Sequence, residues 1–374
     1  MWLPAGMARW ISALSHHFAE VGLLFHESEC RLPTQDTAIA EGNVRLYTLG
    51  APGRYWDRVQ RMRRIRRVCR EAARRADALL IRGLTLRQQT VWHHTPVAHK
   101  AFLMVRSPRQ PRPLGLSLVK LLAAAANLIR EREFAWLAKR TDTVLLANSP
   151  LHVDEIRRLF RRTAHFVSTN VIRESEFAPL HVSPLSDPLR LLFVGRMNVL
   201  KGLRELLAAV AELNRQGHAC VLEVVAPLQE PIYGELIQLA ARLGITERLR
   251  WRGFVPYGPK LFAHYREADI LVLPTYTEGF PRVVWEAAAN NCPVVTTAVG
   301  GIPAILTHEQ HALLIPPRDA RAIVSAIKRL ATDTELREHL VAKARELALD
   351  FTVKSSAERL AQILEEAWRQ DVCL

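Results

Sequence analysis

Four side chains in the second half of the chain have the types and spacing for chemistry. Glu278 and Glu286 stand eight residues apart, and Arg196 and Lys201 stand five apart with Gly202 following the lysine. Carboxylates near a helix start accept hydrogen bonds from sugar hydroxyls. Two cations beside a helix start can hold a diphosphate without a metal. Glu278 falls in a Gly- and Pro-bearing loop that feeds a helix, so the amides of Gly279, Phe280 and the first helical turn form an anion-binding arrangement. Plainer readings of the same residues stay open at this level. Glu278 would then be a helix-terminus residue, Glu286 a solvated one, and Arg196 and Lys201 ordinary surface basics at a loop.

The elements that must position these groups are readable from pattern. Ile270 to Leu273 is a short apolar run ended by Pro274, which suits a buried parallel strand. Thr275 to Pro281 is a loop, and Arg282 to Asn290 a helix with Pro281 placed to start it. Asn291-Cys-Pro293 ends that helix, and Val294 to Thr297 is the next strand. This is a βαβ unit whose loop lies at the carboxyl end of its strand, where open α/β sheets bind ligands. A second unit of the same kind runs from a buried strand, Leu189 to Val194, through Gly195 to a helix that starts near Gly202.

The order E-G-F-P-x-V-x-x-E-A-x-A, then P-V-V-T-T-x-x-G-G, resembles the C-terminal signature of retaining glycosyltransferases of the GT-B fold, the group 1, family 4 enzymes with the E-x7-E motif. G-R-x-x-x-x-K-G, from Gly195 to Gly202, resembles the same family. The resemblance implies an α/β GT-B protein, with two Rossmann-like domains facing across a cleft and a nucleotide-sugar donor, UDP- or GDP-linked, held in the second. It implies that Arg196 and Lys201 meet the diphosphate, Glu278 the sugar hydroxyls and Glu286 the ribose diol. Gly195, Gly279, Phe280 and Pro281 would line the donor, and Gly253 and Phe254 would flank the base. No cofactor and no metal are implied, and no D-x-D motif is apparent. Retaining transfer passes through a positively charged sugar while the diphosphate leaves as an anion, so the protein must stabilise that anion.

The sequence departs from the family in places. Gly6-Met-Ala-Arg9-Trp10 resembles the end of the N-terminal Gly-rich loop, yet the first strand that should precede it is expected to be missing. Arg82 stands where many relatives place a histidine, and Ala226-Pro227-Leu228-Gln229 where they carry a Gly-rich turn. These departures keep a catalytically impaired binding or scaffold homologue open as an alternative, beside a nucleotide-sugar epimerase of the same fold. The expected division is an acceptor-side domain at 1–175, a donor domain at 185–354, and a terminal helix at 355–374 crossing back onto the first. Asn170 to Pro184 reads as the linker, with Phe177 as its anchor. In the first half, strands at Val44–Leu49, Ala78–Arg82, Lys100–Arg106, Thr143–Asn148 and Ala164–Ser168 alternate with helices, including Leu116–Lys139 and Pro150–Phe160, which means a parallel sheet.

Composition bounds the rest. The 374 residues suit two domains, and 49% hydrophobic with 24% charged content is ordinary for a globular protein. No run of eighteen apolar residues and no signal peptide are visible. The five scattered cysteines lack metal-ligand spacing and read as reduced thiols of a cytoplasmic protein. The net charge of +14 is uneven: residues 1–184 hold 29 Lys and Arg against 15 Asp and Glu, and residues 185–374 hold 22 of each. Much of the excess is one helical stretch, Arg58 to Arg75, whose apolar residues Val59, Met62, Ile65, Val68 and Ala72 form a narrow stripe. A basic amphipathic helix suits an anionic membrane surface; the alternative is a solvated helix with its stripe on the core. Nucleic acid is disfavoured, because no aromatics interleave the arginines. The expected partners are thus a nucleotide-sugar donor and a lipid-linked or other anionic glycan acceptor at the inner face of a bacterial membrane, in polysaccharide or lipopolysaccharide assembly.

Overall fold

The computed structural model describes residues 2–25, 36–49, 55–82, 91, 95–97, 99–104, 143–147, 163–165, 171–229 and 232–369. The helices expected at Leu116–Lys139 and Pro150–Phe160 lie outside these residues, as do Cys30, Arg106 and Cys373. The chain divides into two compact units, Met1–Leu3 with Ala8–Ser168 and Ser356–Leu374, and Pro4–Met7 with Thr169–Ser355.

In the first unit, β1 (Trp2–Pro4) precedes α1 (Ala5–Ser15), and then come β2 (Val21–Phe25), β3 (Asp36–Ala38), β4 (Val44–Thr48), α2 (Tyr55–Ala73), β5 (Ala78–Arg82), β6 (His99–Met104), β7 (Thr143–Ala147) and β8 (Thr163–His165). The expected absence of a first strand is therefore corrected. Trp2–Pro4 is a three-residue strand beside β3. Pro4 lacks an N–H and is tolerated because β1 is an edge strand of a two-stranded sheet. Gly6 consequently lies in the first turn of α1 and not in a loop. β5, β6, β7 and β8 form a parallel sheet in that order, and β2 and β4 pair in parallel.

From Ile65 to Ala72 the apolar stripe of α2 packs inside the unit. Ile65 and Cys69 are buried against Leu49, with Leu24 and Val91 beside them, and Ala72 is buried too, while Arg63, Arg64, Arg66, Arg67 and Arg70 are exposed. Of the two readings of that helix, the core reading holds for the apolar face, and the exposed face is basic.

The second unit runs β9 (Leu189–Val194), α3 (Leu203–Arg215), β10 (Cys220–Val225), α4 (Tyr233–Arg242), β11 (Leu249–Gly253), α5 (Pro259–Glu267), β12 (Ile270–Leu273), α6 (Arg282–Ala289), β13 (Val294–Thr297), β14 (Leu313–Ile315), α7 (Ala320–Thr332) and α8 (Thr334–Asp350). Its six strands are parallel, in the order β11-β10-β9-β12-β13-β14. From β9 the chain builds outward to β11, then returns to β12 and builds the other way. The switch point is the β9/β12 pair. Leu206, Leu207, Val210 and Leu213 of α3 and Ile323 and Ile327 of α7 bury one face of the sheet. The helical spacing of these leucines is what dictates an amphipathic helix there. Cys220 and Cys292 are buried, which pushes their thiols up to about 11 and about 12.

The last helix, α9 (Val353–Arg369), packs Ala357, Leu360, Ile363 and Leu364 with Leu14, Ala101, Val144 and Leu146 of the first unit, of which residues 356 onward form part. Among the described residues no helix is long and apolar enough to cross a membrane.

Candidate functional site

Loops at the carboxyl ends of β9, β12 and β13 converge at the switch point. After Val194, Gly195 takes φ +150° and donates its amide to the Val225 carbonyl at 3.1 Å, so that amide belongs to the sheet. Arg196 is exposed. Asn198 caps a single 3-10 turn, Val199–Lys201, its side chain accepting from the Leu200 amide at 2.9 Å. Gly202 then takes the left-handed conformation at φ +67°, and a Cβ there would lie 2.0 Å from the Pro274 carbonyl oxygen. Glycine is thus required both for the turn and for the close approach of the next loop.

That next loop is locked to the first through its backbone. The Leu200 carbonyl accepts from the Tyr276 amide at 2.7 Å and from Thr275 Oγ1 at 3.1 Å. Thr297 Oγ1 donates to the Thr275 carbonyl at 2.6 Å, tying in the end of β13. Lys201 Nζ pairs with Glu278 Oε1, with side chains 18% and 20% exposed. Gly300, at φ +58°, lies under the same residue: a Cβ there would be 1.8 Å from the Glu278 carbonyl oxygen. The site is therefore a partly shielded ion pair, held by backbone contacts from three loops.

Glu286 is placed differently from a solvated helix residue. It is 6% exposed, and Tyr265 of α5, itself fully buried, donates its hydroxyl to Glu286 Oε2 at 2.7 Å. Burial raises the Glu286 carboxyl above its ordinary value, against the Tyr265 hydrogen bond and the charge of Arg282, which pull it down. Burial, then the neighbouring Glu286, likewise pushes the Tyr265 phenol up. A carboxyl raised on folding contributes stability that is present below its unfolded value and is lost as pH rises through the folded one. Glu286→Gln removes that loss and keeps an acceptor for Tyr265. The variant should therefore gain on the parent as pH rises above the ordinary Glu range, until the folded-state carboxyl has ionised. Urea unfolding followed by tryptophan fluorescence at several pH values measures this, and a pH-independent difference would contradict it.

The structure brings Lys201 and Glu278 into contact. The expectation for Phe280 rests on its backbone amide, and its ring lies in the core. It is 3% exposed and packs on Trp285 at 4.6 Å, which stacks on Phe351 at 4.9 Å, so the ring belongs to the core. An apolar aromatic removed from water in such a stack contributes more there than at a wet site. Pro281 is buried and is the N-cap of α6, one position before the helix proper. Gly279 remains partly exposed, Gly253 is left-handed at φ +72°, and Phe254 is 52% exposed beyond the end of β11. Thr275, Tyr265 and the clash-forbidding roles of Gly202 and Gly300 are not visible in the sequence reading. Among the described residues no group of three or more His, Cys, Asp or Glu could hold a metal.

Residues 188–333 match the family Glycosyl transferases group 1. The D-inositol 3-phosphate glycosyltransferase of Salinispora arenicola is 34% identical over 186 residues, 47% of this chain and 40% of the relative. The glycogen synthase of Mycobacterium tuberculosis (strain H37Rv) is 27% identical over 238 residues, 63% of this chain and 56% of the relative. The chain thus spans about half the length of these relatives. Among solved structures, sucrose-phosphate synthase from Thermosynechococcus elongatus superposes with a TM-score of 0.74 at 18% identity, over 97% of this chain and 92% of that one. Anabaena Alr3699/HepE in complex with UDP and glucose gives 0.64 at 19% identity, over 93% and 100%. WaaG, a glycosyltransferase involved in lipopolysaccharide biosynthesis, gives 0.65 at 15% identity, over 96% and 95%. These likenesses establish the GT-B fold.

Proposed function

We propose that the chain is a retaining glycosyltransferase that moves a hexosyl group from a nucleoside-diphosphate sugar to an anionic or lipid-linked acceptor, without a metal. One observation carries the reading: Lys201 and Glu278 meet at the topological switch point of a parallel sheet, the position where such sheets bind nucleotides. Each neutralises the other when no donor is present. A bound donor would replace both partners, its diphosphate taking Lys201 and its sugar hydroxyls taking Glu278. The bond from the anomeric carbon to the diphosphate breaks with its electron pair going to the phosphate oxygen, and the acceptor oxygen bonds to the same face of the sugar while its proton passes to that departing phosphate oxygen. Lys201 and the exposed Arg196 supply positive charge to the leaving anion, which is the larger part of what this chemistry needs. Glu286, fixed by Tyr265, is assigned to the ribose diol, and Phe254 and Gly253 to the base.

UDP and UDP-glucose are bound by the HepE neighbour, which makes UDP-sugars the first donors to test. A ligand that binds only the native state raises its melting temperature. In a screen of UDP-, GDP- and ADP-sugars, one nucleotide class should raise it, and Glu286→Ala should abolish most of that rise. Product NMR should then give the anomeric configuration of the donor. Release of an isomerised sugar without acceptor would replace this reading with an epimerase, and donor binding without turnover would replace it with a binding homologue.

The acceptor side rests on charge. The exposed Arg63, Arg64, Arg67 and Arg70 of α2 suit an anionic surface, and their attraction to it falls with salt. A role in cell-surface polysaccharide or lipopolysaccharide assembly and a peripheral position on the inner membrane face belong to this part of the reading. Co-sedimentation that shows no preference for anionic over neutral vesicles would remove it.

A further inference from the structure

A cavity of about 320 Å3 lies at the other end of the same sheet, beside the residues that lead into β12 and β13, Asp269 and Pro293. That volume is at the small end of ligand pockets. Two of the residues that line it, Arg337 and Asn291, each hold a buried side-chain atom that finds no hydrogen-bond partner, Arg337 Nε and Asn291 Oδ1. Arg337 is 5% exposed, and its other nitrogens donate to neutral acceptors, the Leu330 carbonyl at 2.6 Å and Thr334 Oγ1 at 3.0 Å. Arg266 also lines the cavity and donates to Asn290 Oδ1 at 2.9 Å. Among the described residues neither arginine has a carboxylate partner within ion-pair distance. The cavity does contain one carboxylate, Asp269, but its oxygens accept from the Ser186 amide at 3.1 Å, from Ser186 Oγ at 3.3 Å and from the Arg190 amide at 2.6 Å. A buried guanidinium without a counter-charge is costly, and the end carbonyls of α7 offset only part of that cost.

We propose that this cavity binds a small phosphate-bearing ligand. The orphaned groups specify its chemistry. Arg337 Nε–H and the Arg266 guanidinium call for an anion with several acceptor oxygens, and guanidinium with phosphate is a strong pairing. Asn291 Oδ1 calls for a donor on the same ligand, which hydrogen phosphate or a hydroxyl-bearing phosphate ester supplies and sulfate does not. Asn291 Nδ2 is already held by the Pro179 carbonyl at 2.6 Å, which fixes the amide with its oxygen free. The site is separate from the Lys201 and Glu278 site, and its existence does not depend on what that site does.

The test is isothermal titration of the full chain with sodium phosphate, sodium sulfate and glycerol 3-phosphate at constant ionic strength. One saturable phosphate site is expected, with sulfate at least about fivefold weaker. Arg266→Ala, at an exposed side chain, should weaken phosphate on the order of tenfold, the loss of one charged hydrogen bond. Arg337→Lys should weaken it further, and its circular dichroism shows whether the fold survives. Lys201→Ala should leave this binding unchanged. Tighter binding of glycerol 3-phosphate than of phosphate makes an ester the occupant, and the reverse order makes it the free ion. No saturable phosphate binding would overturn the proposal. So would phosphate binding that is lost in Lys201→Ala and kept in Arg266→Ala, since that places the anion in the other site.

Discussion

Lys201→Ala should lower turnover of a competent sugar-nucleotide donor by about 100- to 1000-fold, the loss that follows when one preorganised charge is taken from a developing anion. The effect should fall on kcat more than on KM, because negative charge on the leaving diphosphate grows on the way to the transition state and Lys201 meets it there. Two features make this residue more consequential than the exposed Arg196. Its side chain is only 18% exposed, so its charge is less screened, and it is held by the same loop contacts that fix Glu278. Lys201→Arg keeps the charge but replaces a compact ammonium with a planar fork, so it should restore only part of the rate. Melting temperature separates the two ways the substitution could act. A large drop in kcat with an unchanged melting temperature supports a role at the diphosphate. An unchanged kcat, with donor saturation verified, would remove Lys201 from the chemistry.

The second unit was legible because its signals are local. Strands such as Ile270 to Leu273 are continuous apolar runs, and α3 and α7 repeat their leucines and isoleucines at helical spacing, so pattern alone places them. The pattern puts both loops at the carboxyl ends of strands but assigns Lys201 and Glu278 to different parts of a donor, and their direct pairing comes from the structure alone. What the pattern could not carry is direction within an element. Glu286 falls within the expected helix, yet its carboxylate is buried, because the partner that accommodates it, Tyr265, comes from another helix 21 residues earlier. Phe280 follows the same logic. Its neighbours Trp285 and Phe351 come from the next helix and from a segment some 70 residues on, and no local window contains that stack. In the first unit the three-residue strand Trp2–Pro4 is too short to show periodicity, and only its pairing with β3 identifies it. The stripe of α2 was ambiguous for a different reason: an apolar face reads the same whether it meets lipid or Leu49 and Leu24.

Gly300→Ala should cost about 2–6 kcal/mol of stability, the sum of about 1–3 for a left-handed non-glycine residue and about 1–3 for overpacking. Both parts come from one atom. At φ +58° an alanine is strained wherever it sits, and here its Cβ would also stand 1.8 Å from the carbonyl oxygen of Glu278, a backbone atom with no rotamer to escape into. The other glycines of the unit separate the two parts. Gly244 has φ +67° with nothing within 4 Å of a Cβ, so Gly244→Ala should show the conformational cost alone. Gly202, at the same φ and 2.0 Å from the Pro274 carbonyl oxygen, should behave like Gly300. Urea unfolding of the three variants therefore has an expected order, with Gly244→Ala mildest and the other two worse by at least about 1 kcal/mol. Where a Gly300 variant still folds, the loop must have moved, and Glu278 with it, so donor affinity should fall even though no side chain of the pair was touched. Equal losses at Gly244 and Gly300 would mean that the β13 loop yields freely, and that the position of Glu278 is set by its ion pair with Lys201 alone.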